Sequence, residues 1–198
     1  MLSSTRILHL HDTLNSLWHQ TDASPLDAGT TFEDCVIAQH WQNFALWHEE
    51  DKARDTQAND AQIATVKRRI DQLNQHRNDL TERCDELLLA FLCEQGLPLF
   101  GAELHTETPG MILDRLSILS LKRYHTLEQT ERGDVGSEHI ARNRARLQTL
   151  EEQRSDLANS LDVLWQRILN GERGFKVYRQ LKMYNDATLN PVLYNANR

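Results

Sequence analysis

From Ile63 to Phe91 the apolar positions Ile63, Val66, Ile70, Leu73, Leu80, Cys84, Leu87 and Phe91 recur at steps of three and four, interrupted once by Arg77. That spacing marks one buried helix face, sustained for about four heptads. A polar row of Lys67, Asp71, Asn74, Asn78, Glu82 and Asp85 lies ~110° round the axis from it, at ~100° per residue. Arg68, Gln72, Gln75, Asp79, Arg83 and Glu86 face water. The pattern predicts a long helix over about 58–95 with a core face, a water face and a polar shoulder between them. The shoulder is where chemistry is expected.

The same reading places the other elements. Ile7, Leu10, Leu14 and Leu17 give a short amphipathic helix from about Thr5 to Trp18, followed by a loop over Gln20 to Thr30. Thr31 fits an N-cap for a helix running to about Arg54, whose inward face is Val36, His40, Phe44, Trp47 and Asp51. Thr108-Pro109 fits an N-cap and first turn, opening a helix over about 109–128 that is apolar nearly all round and therefore buried. It nevertheless carries Asp114, Arg115, Lys122 and His125. After the turn Arg132 to Gly136, a second long helix is predicted over about 137–170, its stripe of Ile140, Leu147, Leu150, Leu157, Leu161, Leu164 and Ile168 broken by Asn143 and Arg154. A short helix over Phe175 to Met183 and a docked or partly ordered tail over 184–198 complete the chain. The fold class is all-α: one antiparallel helical bundle of residues 1–198, with residues 1–30 as its amino-terminal helix and loop.

Composition agrees, with only eight Gly and four Pro in 198 residues. A net charge of −7 with interspersed signs argues against a nucleic-acid backbone as partner. No apolar run reaches the ~18 residues of a membrane span, and Met1 to Trp18 lacks the pattern of a signal peptide. Cys35, Cys84 and Cys93, without CxxC spacing, read as reduced thiols of a cytoplasmic protein.

Three polar groups carry candidate chemistry. In Trp47 to Arg54, His48 and Asp51 stand at i, i+3, able to hold a divalent metal or act as an acid–base pair; the plainer reading is a charged helix end. On the polar shoulder, Asn74 and Asn78 are poor helix formers with nothing to gain in solvent, and Arg77 must find a carboxylate, a phosphate or water. At Glu107 to Lys122, the helix start offers N–H groups to an anion, with Arg115 and Lys122 seven apart on one face. An antiparallel hairpin near Gln57 would set His48, Asp51 and Arg54 beside Lys67 and Asp71, and His40 beside Asn74. A helix from Met111 antiparallel to the long one would bring Arg115 and Lys122 to Asn78 and Asp85. One groove then results. In it Arg77, Arg115 and Lys122 hold an anion, Asn74 and Asn78 read hydroxyls, Arg54, Lys67 and Asp85 complete the lining, and His48, Asp51 and Asp71 are catalytic.

The strings LWHEEDKAR (Leu46 to Arg54), KRRIDQLNQHRND (Lys67 to Asp79), ETPGMILDRLSILSLKRYH (Glu107 to His125) and FKVYRQLKMYND (Phe175 to Asp186) resemble a bacterial family, the domain of unknown function 4254. The resemblance implies an all-helical cytoplasmic domain of the kind found beside genes for lipopolysaccharide and other envelope-glycan synthesis. It brings no activity or catalytic residue. The function that fits best is binding of a phosphorylated or nucleotide-linked sugar in the interhelical groove, with enzymatic action on it left open. A second reading is a non-catalytic, homodimeric adaptor for a glycan-synthesis enzyme. A third is an all-α nucleotide pyrophosphatase using a divalent metal such as magnesium, from Glu49-Glu50 and Glu82-Arg83-Cys84-Asp85. The helix rise sets those acids ~25 Å apart in a single chain, so that reading requires a dimer.

Overall fold

In a computed structural model the described residues are 2–21, 29–98 and 100–195. Most of the loop expected after the first helix, residues 22–28, lies outside them, as does the end of the tail, residues 196–198. The helices are α1 (Ser4–Gln20), α2 (Phe32–Lys52), α3 (Asp60–Cys93), α4 (Pro109–Glu131), α5 (Ser137–Leu169) and the short α6 (Pro191–Asn195). The all-α bundle predicted from the apolar spacing is the fold observed. Two-residue strands β1 (Glu103–Leu104) and β2 (Arg173–Gly174) pair in parallel and tie the loop after α3 to the segment after α5.

Local chemistry sets the helix boundaries. Thr31 and Asp34 form a reciprocal capping box at α2, and Asn59 and Gln62 form another at α3. Thr108 caps α4 by accepting the Met111 N–H at 3.2 Å, with Pro109 in the first turn. Gly96 (φ 72°) and Gly171 (φ 75°) close α3 and α5 in the left-handed region, where the Leu97 and Glu172 N–H groups each return to a last-turn carbonyl at 2.9 Å.

Two antiparallel hairpins, α2–α3 and α4–α5, pack against each other, and α1 lies across them. The main core joins Cys84, Leu88 and Leu92 of α3 to Ile112, Leu113 and Leu116 of α4 and Leu161, Leu164, Trp165 and Ile168 of α5. The α3 stripe continues as Leu88 and Leu92, not Leu87 and Phe91, because 3.6 residues per turn drift against a seven-residue repeat. That drift carries Asp85 into the interior, 2% exposed. Cys35 and Cys84 are buried free thiols with Sγ atoms 3.3 Å apart, while Cys93 is exposed. No helix among the described residues is long and apolar enough to cross a membrane.

One predicted element is absent. Residues 175–182 form neither helix nor strand, and Leu181 takes a left-handed backbone conformation (φ 44°). Phe175 is buried, Lys176 exposed, Val177 half-buried and Tyr178 exposed, a period of two that outweighs helix propensity once β2 has set the backbone. The strap lies along α3, where Arg179 clasps Glu82 at 2.9 Å and Glu86 at 2.5 Å. Beyond it, all five residues of α6 are exposed.

Candidate functional site

A seam of polar side chains runs through the bundle where α1, α2 and α4 meet. On α1, His11, Asn15 and His19 are spaced i, i+4, i+8 and share a face. On α2, Gln39, His40, Asn43 and His48 face them; α4 supplies Asp114, Ser117 and His125.

At the inner end Asp114 gathers partners. Its carboxylate accepts from the Gln39 amide and from Asn43 Nδ2 at 2.9 Å, and Arg77 Nε stands 3.8 Å away. Burial pushes its pKa up, against the pull of Arg77, Asn43 and Gln39. Asn43 also donates to Ser117 Oγ at 2.9 Å, and His40 Nδ1 lies 2.7 Å from the same hydroxyl. His40 stacks on His11 with ring centroids 4.2 Å apart, and burial pushes the His40 pKa down to about 3. His11 is fully buried and held well below its ordinary pKa, first by burial and then by His40 and Arg154. This end is a buried polar network, beside which the polar side-chain atoms of His11 and Asn15 have no hydrogen-bond partner among the described residues.

At the outer end His19, His48 and His125 each present a ring nitrogen, all three within 4.8 Å of one another. His19 Nδ1 lies 2.6 Å from the Asn15 carbonyl, and His125 Nδ1 lies 2.8 Å from Glu128 Oε2. Both partners are acceptors, so Nδ1 carries the proton and Nε2 keeps a lone pair. Nε2 of His19 and of His125 is buried and without a hydrogen-bond partner among the described residues. An aromatic casing holds the rings: Tyr124 stacks on His19 at 4.2 Å, Trp47 on His125 at 4.6 Å, and Phe44 lies edge-on to His48 at 4.6 Å. Burial, and then the neighbouring imidazoles, lower the His48 pKa; burial lowers that of His125 against the pull of Glu128. Such a donor set suits a metal ion or acid–base work.

This end opens into a groove of about 580 Å3 whose lining includes Trp47, Asp51, Lys122, His125, Gln129 and Arg146. Lys122 also borders a larger groove of about 860 Å3 between α4 and α5, lined in part by His105, Glu107, Arg115 and Asp156.

The residues singled out from sequence are therefore dispersed. His48 and Asp51 reach this end of the seam, but His48 meets His19 and His125, not Lys67 and Asp71. Asp71 and Lys67 pair with each other on the exposed face of α3, and Arg54 pairs with Glu50 at 2.8 Å. His40 meets Ser117 and His11, not Asn74; Asn74 and Asn78 are half-buried on α3. The anion position at the start of α4 is filled from within, because Asp85 accepts the Gly110 N–H at 2.7 Å. Burial pushes the Asp85 pKa up to about 6, opposed by bonds from Thr108 and Gly110. Arg115 pairs with Glu107.

The single groove expected along α3 does not form. The antiparallel register of α4 on α3 is as anticipated, but Asp114 takes the inward place beside Arg77, and Arg115, ~100° further round, turns away. Within the single chain the acids of the pyrophosphatase reading are engaged separately, in line with the ~25 Å set by the helix rise: Glu50 is held by Arg54, Glu82 by Arg179 and Asp85 by Gly110. The sequence pattern does not mark His19 and His125 as site residues; the signals it offers are the His11-Asn15-His19 spacing on α1 and the one His of α4.

A family model described as a protein of unknown function (DUF4254) matches residues 33–177. No curated protein and no solved structure matches the chain. The chain belongs to the DUF4254 family.

Proposed function

We propose that this member of the DUF4254 family binds a phosphorylated or nucleotide-linked sugar in the groove between α2, α4 and α5, presenting it to the three imidazoles. The observation that carries the reading is the pair Lys122 and Arg146. Both line the groove, and neither has a carboxylate within ion-pair distance among the described residues. Most of the arginines nearby are neutralised, as Arg115 is by Glu107 and Arg123 by Glu151. Two cations without a carboxylate partner, beside half-buried imidazoles, favour an anion with several acceptor oxygens. Asp51 and Gln129 offer polar groups for sugar hydroxyls, and Trp47 offers a ring face. A groove of about 580 Å3 is of the size that takes such a ligand.

Thermal shift of the metal-free protein against inorganic phosphate, hexose phosphates and nucleotide sugars tests this. At 100 times its dissociation constant a true ligand adds ~2.7 kcal/mol. Lys122→Ala and Arg146→Ala should each weaken binding by roughly 10- to 150-fold, the cost of one charge-assisted bond of ~1.5–3 kcal/mol. A flat response across the panel, or shifts indifferent to both substitutions, overturns the reading. The adaptor reading would then stand on the exposed apolar residues of the carboxyl-terminal segment, where Leu181 is 80% and Val192 77% exposed.

A further inference from the structure

We propose that His19, His48 and His125 bind one divalent transition-metal ion of the zinc class, leaving a coordination position open toward the groove lined by Asp51, Lys122 and Arg146. Three features of the cluster point this way. The nitrogens converge from three helices that only the folded chain brings together, at the end of α1, late in α2 and in the second half of α4. Two of the rings have their proton held on Nδ1, by the Asn15 carbonyl and the Glu128 carboxylate. That arrangement aims the Nε2 lone pair at a metal and raises its basicity as a ligand. The two Nε2 atoms are buried with no partner among the described residues. A buried acceptor left unmade is destabilising, and coordination removes that cost.

The alternative is that these rings merely fill space as aromatics. The His11–His40 pair in the same seam shows what that looks like: His40 is engaged at both nitrogens by Ser117 and the His11 carbonyl, and His11, although both its nitrogens are buried without a partner among the described residues, belongs to no group of three metal-ligating side chains. Among the described residues, the one group of three metal-ligating side chains within reach of a common ion is His19, His48 and His125. In a tetrahedral zinc site with bonds of ~2.0–2.1 Å the ligand nitrogens stand roughly 3.3 Å apart. The three ligand atoms, now within 4.8 Å of one another, would draw closer on taking up the ion. Imidazole donors suit zinc, cobalt or nickel. Magnesium, the ion anticipated from the carboxylates, prefers oxygen and retains water. Three protein ligands and a vacant fourth position is the pattern of a working centre, whereas a structural zinc site is closed by four. If the groove takes the phosphorylated ligand proposed above, on which only this clause rests, an oxygen of that phosphate completes the sphere.

The test uses the full chain without a polyhistidine tag, stripped with EDTA, and the metal alone as ligand. Titration with Co(II) should give one ion per chain with the visible absorption of a four- or five-coordinate nitrogen site, and Zn(II) should displace it. His19→Ala and His125→Gln should each abolish saturable binding, while His9→Ala on the exposed side of α1 leaves it intact. Circular dichroism confirms that each variant is folded; should His19→Ala unfold, His125→Gln decides. Glu128→Gln should retain the site with affinity lowered about 10- to 100-fold. Absence of saturable binding by the unmodified protein, or equal binding by the folded His125→Gln variant, overturns the proposal. Because no sugar phosphate enters this titration and no metal enters the thermal-shift screen, each reading can fail without the other.

Discussion

Asp114 and Arg115 are sequence neighbours with opposite fates, and the difference between them is one helical step. Asp114 points inward and anchors Arg77, Asn43 and Gln39; Arg115 points outward and meets Glu107. That Arg77 needs a partner is evident from its place in an apolar stripe, but which acid answers it depends on the rotation of α4, which no pattern on α3 encodes. Asp114→Ala should strand a partly buried guanidinium and two amides, lowering stability by ~2–4 kcal/mol in urea unfolding. A loss below ~1 kcal/mol would mean the cluster is solvated. The buried histidines predict a pH effect. His40 titrates near 3 in the folded chain and near ~6.5 when unfolded, so below ~6.5 the unfolded state takes up the extra proton. Stability contributed by the neutral ring is thus complete above ~6.5 and lost at ~1.4 kcal/mol per pH unit as pH falls toward 3. Asp85 and Asp114, with raised values, act in the opposite direction. Comparing His40→Gln with the unmodified chain isolates the histidine. Between pH 6 and 4 the variant's stability should fall less steeply, by about one proton; parallel slopes would contradict this.

At the scale of elements, the caps were partly legible and the contacts between helices were not. Thr31 and Thr108 announce α2 and α4 by residue type and spacing, because capping is satisfied within four residues. What seats α4 on α3 lies outside that window. A Cβ at Gly110 would stand 2.5 Å from the Thr81 carbonyl oxygen and 2.9 Å from the Asp85 carboxyl. Gly110→Ala ordinarily favours a helix, by ~1 kcal/mol or less. Here it should instead destabilise by ~1–3 kcal/mol through overpacking, read as a lower denaturant midpoint with an unchanged m-value. A stabilised variant would show that the helices are not in this contact. The segment after Gly174 makes the complementary point. Its residues have reasonable helix propensity, yet they form no helix up to Lys182, because β2 and the Arg179 clasp on Glu82 and Glu86 hold them along α3. Propensity is a weak prior when a partner 90 residues away decides.

For the whole molecule, the position of α1 matters most. It lies across both hairpins, fastened by Arg154 to the Leu8 carbonyl at 3.0 Å and to Asp12 at 2.8 Å, and it ends at His19. If the three imidazoles share an ion, that ion fastens α1 to α2 and α4. Zinc should then raise the melting temperature and slow amide exchange in α1 more than in α5; exchange unaffected by zinc in α1 would speak against it. The all-α class, the two long helices, the buried central helix and most helix ends follow from the sequence by itself, because periodicity and capping are properties of adjacent residues. The residues that cannot be bland, Arg77, Arg154, Asn143, His48 and Asp51, also stand out there as polar groups in apolar places. Their partners do not. Only the tertiary structure turned Asp114 inward and Arg115 outward, filled the start of α4 with Asp85, and set His19 and His125 beside His48. Those outcomes depend on the rotation and stagger of whole helices, where ~100° per residue separates a buried ligand from a solvated side chain.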